Sequence, residues 1–122
     1  MNVAIFGLGR FGTQLARELV RIGATVLAVD SNTDPVREIV DEVSLAAQGD
    51  VTDVEFLRTL GLDSYDSVVV AIGNDVGASV LVVAARVCQN LRAMLIVDPP
   101  AAWAGCDDAL RGLRELDLQS DH

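Results

Sequence analysis

Residues 2–12 read Asn-Val-Ala-Ile-Phe-Gly-Leu-Gly-Arg-Phe-Gly, and this stretch decides the fold of the chain. Its first part, Asn2 to Phe6, is a short apolar run of the kind that forms a buried parallel strand. The run leads directly into a G-x-G-x-x-G pattern, here Gly7-Leu8-Gly9-Arg10-Phe11-Gly12. Apolar residues then recur at helical spacing, so the pattern predicts a strand, a glycine-rich turn and a helix in that order.

Short apolar runs and amphipathic segments alternate along the rest of the chain. Strands are predicted at Asn2 to Phe6, Thr25 to Val29, Ser44 to Ala47, Ser67 to Ile72 and Ala93 to Val97. Helices are predicted at Phe11 to Ile22, from Asp34 to Glu42, from Thr52 to Leu60 and at Val76 to Asn90. This order predicts an α/β fold, a doubly wound parallel sheet of the Rossmann type with right-handed crossovers.

The alternating pattern ends near the two consecutive prolines, Pro99-Pro100. We therefore expect a single domain over residues 1–98 and a C-terminal tail over residues 99–122. The stretch from Asp107 to Asp117 could add one short helix to that tail.

Two helix starts are predicted from capping residues. Asp34-Pro35 is typical of an N-cap followed by proline at the first helical position, and Val40 is expected to face inward on that helix. Thr52 and Glu55 have the spacing of a capping box, so Thr52 is predicted to cap the next helix.

The composition excludes several classes of function. Nine basic residues, all arginine, stand against eighteen acidic ones and give a formal net charge of −9. A field of that sign disfavours nucleic acid and anionic membranes as partners. With no lysine and His122 as the single histidine, lysine nucleophiles, histidine-containing triads and histidine metal sites are excluded. We expect neither a catalytic residue nor a metal site, and no enzyme.

Other features of the sequence indicate a cytoplasmic protein. Cys88 and Cys106 lie 18 residues apart without a partner Cys or His nearby, which is typical of reduced thiols. The chain starts with a strand pattern instead of a basic n-region, so we expect no signal peptide. Its apolar runs are far shorter than a membrane span. We expect no direct membrane insertion and contact with a membrane only through a partner.

The glycine-rich turn is a candidate phosphate site. In this pattern the first glycine permits a tight turn, the second lets the backbone approach a pyrophosphate, and the third lets the helix pack close to the sheet. The helix N-terminus offers N–H groups and the positive end of the helix dipole to an anion. Arg10 either pairs with phosphate oxygens or is an ordinary solvent-exposed side chain.

Polar residues follow the carboxyl ends of later strands, where doubly wound sheets bind their ligands. Asp30 ends the second strand 18 residues after Gly12. Its carboxylate either accepts hydrogen bonds from ribose hydroxyls, favouring NAD(H) or a plain adenosine nucleotide over NADP(H), or is simply solvated. Gly49-Asp50 could meet an adenine, and Ile72-Gly73 could lie along the ribose or the far end of the ligand. Ordinary turn chemistry explains both pairs as well.

Taken together, these segments resemble the TrkA-N domain (also called the RCK N-terminal, or KTN, domain) of potassium-transport regulators. The resemblance covers residues 2–98 and is carried by Ile5 to Gly12, Val26 to Asp30, Gly49 to Asp53 and Val68 to Gly73. It implies a set of cofactor-binding residues that starts with the whole glycine-rich hexapeptide. The set continues with Asp30, Ser31 and Asn32 near the ribose, Asp50 and Val51 at the adenine, and Ile72 with Gly73.

The resemblance implies a cytosolic nucleotide sensor that binds NAD(H) or ATP/ADP. Such domains change the assembly of a ring that gates a potassium channel or transporter subunit in the membrane. Members usually continue into a second, C-terminal lobe, and we expect these 122 residues to hold the first lobe alone. We also expect a homodimer or higher homo-oligomer, in which the helix Val76 to Asn90 either forms the contact face or is buried within the domain.

Two other functions are considered for the same pattern. One is a fragment of an NAD-dependent oxidoreductase, for which the candidate proton-transfer groups are Tyr65 and His122. The other is a stand-alone Rossmann domain used only for protein interactions, which the intact glycine turn and Asp30 disfavour.

Overall fold

Five parallel strands form the sheet that the alternating pattern predicts. The computed structural model describes residues 1–72 and the backbone of residues 93–96. The strands are β1 (Asn2–Phe6), β2 (Thr25–Asp30), β3 (Leu45–Gln48), β4 (Ser67–Val70) and β5 (Ala93–Ile96). The helices within residues 1–72 are α1 (Arg10–Arg21), α2 (Thr33–Ile39) and α3 (Val54–Thr59), with a short 3₁₀ turn at Leu62–Ser64.

The order of the strands places the glycine-rich turn at the centre of the sheet. The spatial order is β3-β2-β1-β4-β5, and every neighbouring pair is parallel. The chain therefore runs outward from β1 through β2 to β3 and then returns to the other side of β1 to form β4. Open α/β sheets bind ligands at such a reversal, beyond the carboxyl ends of the strands. The turn that follows β1 lies at this reversal.

The core has two layers, one on each face of the sheet. On β1, Val3 and Ile5 pack on one face, toward Leu15 and Leu19 of α1. The intervening residues Ala4 and Phe6 belong to the cluster on the opposite face, which includes residues of α3 and the 3₁₀ turn. These four residues are fully buried, and only Asn2 at the start of β1 is polar and half-buried. Since both faces are covered, β1 is apolar from Val3 to Phe6, as expected for a central parallel strand.

The predicted doubly wound parallel sheet is confirmed, with small shifts at the strand ends. β4 ends at Val70, two residues before the predicted end at Ile72. β3 begins at Leu45, one residue after the predicted start, and the hydroxyl of Ser44 just before it accepts a hydrogen bond from the Val26 N–H at 3.2 Å. The strand continues to Gln48, where it still pairs with Asp30 of β2.

The predicted start and end of α2 were wrong. The N-cap is Asn32, whose side-chain oxygen accepts a hydrogen bond from the Asp34 N–H at 3.2 Å. Asp34 and Pro35 therefore lie inside the first turn, where proline is tolerated because first-turn N–H groups lack helical partners. The helix ends at Ile39 instead of Glu42, and Val40 is 47% exposed instead of facing inward.

The predicted capping box of α3 was also wrong. Asp53, one residue later than Thr52, is the N-cap and accepts a hydrogen bond from the Glu55 N–H at 3.0 Å. Thr52 is engaged elsewhere, since its hydroxyl donates to Asp50. The helix stops at Thr59, and Gly61 just beyond has φ +66°, as expected for a glycine stop signal.

Several sequence predictions lie outside the described residues. They are Gly73, the helix Val76 to Asn90, both cysteines and the whole tail over residues 99–122. The boundary at residue 98 therefore stays a prediction. In the parts of the chain that the structure describes, no helix has the length and apolar character needed to cross a membrane.

The cap of α2 can be tested by substitution. Asn32→Ala should lower the free energy of unfolding by about 1 kcal/mol, while Asn32→Ser, which keeps a capping oxygen, should stay close to wild type. Asp34→Ala should cost less than Asn32→Ala, because it removes only a charge in the first turn. Urea denaturation of the three variants measures the order. A larger loss for Asp34→Ala than for Asn32→Ala would restore the cap predicted from sequence.

Candidate functional site

A cleft of about 300 Å³ opens at the carboxyl ends of the strands. It lies at the reversal of strand order, between the glycine-rich turn after β1 and the segments that follow β2, β3 and β4. Its lining residues are Gly7, Gly9, Asp30, Ser31, Asp50, Val51, Thr52, Ala71 and Ile72. The site is therefore built by four separate loops that the parallel sheet brings to one edge.

Two of the three glycines in the turn are required by the packing of the protein itself. Gly7 has φ +101°, and a Cβ there would lie 2.7 Å from the side chain of Ile72 and 2.8 Å from the Ala71 carbonyl oxygen. A Cβ on Gly12 would lie 1.9 Å from the carbonyl oxygen of Gly7. These contacts show that α1 packs directly against the turn and that the turn packs against the end of β4.

Gly9 differs from its two neighbours in the motif. Its φ of −71° and ψ of −168° are allowed for any residue, and a Cβ there would meet nothing within 4 Å. The residue is exposed and lines the cleft. Nothing in the described part of the protein therefore requires a glycine at this position. A ligand in contact with the turn would require glycine here, because a side chain at this position would occupy the space of the ligand.

The N-terminus of α1 is also unlike the other helix starts. An α-helix leaves its first N–H groups without intrahelical partners. At α2 and α3 a side-chain cap accepts one of them, and the first turn carries Asp34 or Glu55. At α1 the N-cap is Gly9, which has no side chain to bond, and the first turn carries no acidic residue. The positive end of this helix therefore has neither a side-chain cap at Gly9 nor an acidic residue in its first turn, a combination that would favour an anion.

Asp30 is half-buried at the end of β2 and has two backbone partners. Its Oδ2 accepts a hydrogen bond from the Leu8 N–H at 2.7 Å, and its Oδ1 accepts one from the Asn32 N–H at 2.8 Å. The side chain also lines the cleft. Neither of the two alternatives weighed from the sequence, ribose contact or simple solvation, included these bonds.

The loop after β3 forms the other acidic wall of the cleft. Asp50 Oδ1 accepts hydrogen bonds from the hydroxyl and the N–H of Thr52, at 2.6 and 2.9 Å. These bonds, led by the hydroxyl, hold the pKa of Asp50 below its ordinary value. Gly49 allows the loop to pack closely against α3, since a Cβ there would lie 2.4 Å from the Phe56 ring. Val51 is buried beneath the cleft.

The structure brings together about half of the residues predicted for the site. Those that line the cleft are Gly7, Gly9, Asp30, Ser31, Asp50, Val51 and Ile72. Leu8 and Phe11 turn their side chains to the core, Gly12 packs under the turn, and Asn32 caps α2. Arg10 is exposed at the start of α1, outside the lining residues. Gly73 lies outside the described residues.

Two lining residues were missed by the sequence reading. Thr52 was interpreted as a helix cap, although the aspartate two residues before it signals a local turn that uses its hydroxyl. Ala71 was placed inside the fourth strand, and its carbonyl instead lies against the glycine-rich turn. No pattern in the sequence distinguishes an alanine at a strand end from one in the strand.

The described residues offer little for proton transfer or metal binding at this cleft. Tyr65 lies just before β4, at the opposite end of the sheet from the cleft, and burial raises the pKa of its phenol. Within residues 1–72 and 93–96, no group of three or more His, Cys, Asp or Glu side chains could hold a metal ion.

Comparison with known proteins identifies similar sequences. The sequence model of the TrkA-N domain matches residues 3–101. The Ktr system potassium uptake protein A of Vibrio alginolyticus is 49% identical over 78 residues, which cover 64% of this chain and 36% of that protein. The chain spans about a third of the length of this protein and of two Ktr system potassium uptake proteins of Bacillus subtilis.

Solved structures share the fold. The NAD(P)-binding domain of an exopolyphosphatase-related protein from Archaeoglobus fulgidus superposes with a TM-score of 0.70 and 25% identity, covering 97% of both chains. The GsuK channel bound to NAD superposes with a TM-score of 0.67 and 19% identity, covering 80% of this chain and 18% of that one. The nucleotide named with each belongs to those proteins.

The acidic wall of the cleft can be tested through Asp50. Thr52→Val removes the hydroxyl that contributes most to the low pKa of Asp50, so that pKa should rise toward its ordinary value. Carbon-13 NMR titration of the carboxyl groups measures it, with Thr59→Val as a matched control on α3. The stabilising contribution of Asp50 is present above its unfolded-state pKa and is lost as pH falls through the lower folded value. An unchanged Asp50 pKa in Thr52→Val would contradict the assignment.

Proposed function

The chain belongs to the TrkA-N domain family, and from that premise we propose that it is a regulatory nucleotide-binding domain of a potassium uptake or channel system. The cleft at the carboxyl end of the sheet would take an adenosine nucleotide, either NAD(H) or ATP/ADP. The observation that carries this proposal is Gly9, a glycine that lines the cleft and that the described protein does not itself need.

The geometry fits the phosphates of such a ligand at the glycine-rich turn. Gly7 and Gly12 set the close packing of turn and helix, and Gly9 leaves the adjoining space empty. The uncapped N-terminus of α1 faces the same region and favours negative charge. Backbone N–H groups can thus bind phosphate in a protein whose net charge is −9.

Arg10 would add a positive charge to the phosphate end of the cleft. Among the arginines of residues 1–72, Arg17, Arg21 and Arg58 each form an ion pair with a glutamate. Arg10 and Arg37 make no ion pair within that part of the chain, and of these two it is Arg10 that lies at the start of α1. Its guanidinium, which is exposed, would reach phosphate oxygens from the rim of the cleft.

The rest of the nucleotide would extend over the neighbouring loops. Asp30, with Ser31 and Asn32 after it, would accept hydrogen bonds from the ribose hydroxyls. Its carboxylate would repel the 2′-phosphate of NADP(H), so NAD(H) or a plain adenosine nucleotide is favoured over NADP(H). Asp50 and Val51 would border the adenine. Ile72, with Gly73 beyond the described residues, would lie along the far end of the ligand.

Regulation would act through a shift in population between two arrangements of associated chains. A ligand moves such an equilibrium only by its differential affinity for the two arrangements. We propose that the domain works in the cytoplasm as a homodimer or larger homo-oligomer. Its partner would be the membrane subunit of a potassium channel or transporter, and the name of the Vibrio relative as a potassium uptake protein supports a role in potassium uptake.

The cleft lining disfavours the alternative of an oxidoreductase. A hydride-transfer enzyme needs a proton-transfer group at its substrate, usually His, Lys or Tyr. None of these lines the cleft as far as the structure describes it, and Tyr65 lies at the other end of the sheet. A binding role without catalysis fits this chain better.

The role of Gly9 is tested by placing an aspartate there. Gly9→Asp supplies a good N-cap and an acid at the helix start, so the free energy of unfolding should hold or rise by up to about 1 kcal/mol. The added side chain and charge should abolish nucleotide binding. Wild type should gain roughly 2.7 kcal/mol of stability from NAD⁺, ADP or ATP at about 100 times the dissociation constant, which thermal denaturation measures.

Two matched variants separate binding from folding. Thr25→Glu adds the same charge at the opposite end of the sheet and should bind like wild type. Gly12→Ala should instead lose about 1–3 kcal/mol of stability, because its Cβ has no space. A wild type that none of these nucleotides stabilises, or a Gly9→Asp variant that they stabilise equally, would overturn the proposal.

A further inference from the structure

Both carboxylate oxygens of Asp30 accept a hydrogen bond from a backbone N–H. Its Oδ2 accepts from the Leu8 N–H, 22 residues earlier in the chain, and its Oδ1 accepts from the Asn32 N–H. The first bond reaches into the glycine-rich turn, and the second reaches the N-cap of α2. One side chain therefore joins two of the loops that build the cleft.

The side chain, the N–H and the carbonyl oxygen of Leu8 each have a partner in the protein. Its side chain is 4% exposed and belongs to the core cluster beside α1. Its N–H donates to Asp30, and its carbonyl oxygen accepts a hydrogen bond from the hydroxyl of Thr13 at 3.1 Å. These contacts restrain both peptide groups of the residue that precedes Gly9. The path of the turn at Gly9 therefore depends on Asp30 as well as on the glycines.

We propose that Asp30 is a positioning residue for the phosphate end of the cleft, in addition to its contact with ribose. This inference rests on the proposed nucleotide site and deepens it. By holding the Leu8 N–H, the carboxylate fixes the turn in the shape that receives phosphates. The ribose and phosphate parts of the cleft are thus coupled through one side chain.

The two roles of Asp30 are chemically compatible. An ionised carboxylate has about four positions at which its oxygens accept hydrogen bonds, and the two backbone donors use two of them. The remaining positions stay available for ribose hydroxyls, since Asp30 lines the cleft. A nucleotide can therefore bind to Asp30 without displacing the Leu8 N–H.

A ligand without ribose hydroxyls distinguishes a positioning role of Asp30 from a contact with ribose alone. The two roles predict opposite changes in the affinity of Asp30→Asn for that ligand. If Asp30 contacted ribose alone, Asp30→Asn would remove a negative charge near the phosphates and would leave the affinity for such a ligand unchanged or higher. If Asp30 positions the turn, the same substitution lowers that affinity, because the neutral amide cannot accept from both N–H groups as the carboxylate does.

The test compares ADP with 2′,3′-dideoxy-ADP, which lacks both ribose hydroxyls. ADP is the part that NAD(H) and ATP share, so one pair of probes serves both. In Asp30→Asn the dissociation constant for dideoxy-ADP, measured by calorimetry, should rise by about tenfold. An unchanged or lower constant would overturn the positioning role. Failure of wild type to bind ADP would instead overturn the proposed function itself.

Asp66→Asn is a matched control. Asp66 also bonds a backbone group, the Asn2 N–H at 2.8 Å, at the amino end of β1, far from the cleft. This variant should bind ADP and dideoxy-ADP as wild type does. A comparable loss of dideoxy-ADP affinity in Asp66→Asn would mean that the effect at Asp30 is general loosening of the fold, and would overturn the proposal.

Amide hydrogen exchange gives a second readout, and wild type alone can contradict the proposal. The Leu8 N–H lies in a turn, and Asp30 accepts its hydrogen bond. It should exchange slowly in ligand-free wild type and quickly in Asp30→Asn, while the Val26 N–H, bonded to Ser44, stays protected in both. Fast exchange of the Leu8 N–H in wild type would contradict the positioning role even if Asp30→Asn failed to fold.

Discussion

The close approach of α1 to the end of β1 is the constraint on which the site depends. A Cβ on Gly12 would lie 1.9 Å from the Gly7 carbonyl oxygen, so the helix can start where it does only because residue 12 is glycine. That contact places the N-terminus of α1 above the reversal of strand order, where four loops meet. In the proposed function, the positive end of the helix gives the acidic protein a local place for an anion.

The sheet could be predicted from sequence because its signals are periodic and local. Strands buried on both faces require continuous apolar runs, and β1 and β4 show them. The helix starts were harder, because Asn32 and Asp34, or Thr52 and Asp53, are all residues that can cap. The choice between them depends on which side chain is already engaged, and Thr52 is bonded to Asp50. The spacing of residues does not show which of two possible capping side chains is already hydrogen-bonded elsewhere.

The sequence predicts the glycines and the strand-end acids of the candidate site. It does not predict the hydrogen bonds that join the loops of the site. The motif predicts that Gly7, Gly9 and Gly12 matter, and the structure separates the two required by packing from the one left over for a ligand. The bond from the Leu8 N–H to Asp30 spans 22 residues and exists only because β2 pairs beside β1. Its existence requires the register of two strands, which no local pattern contains.

In the proposed function, phosphates bind at the glycine-rich turn. This binding can be tested by titrating unlabelled ADP into nitrogen-15-labelled protein and following the amide chemical shifts. We expect the largest changes at Gly9 and in the first turn of α1, with smaller changes at Asp30 and in the Asp50 loop. Saturable changes that leave Gly9 and the start of α1 unaffected, or no changes with ADP or NAD⁺, would contradict it.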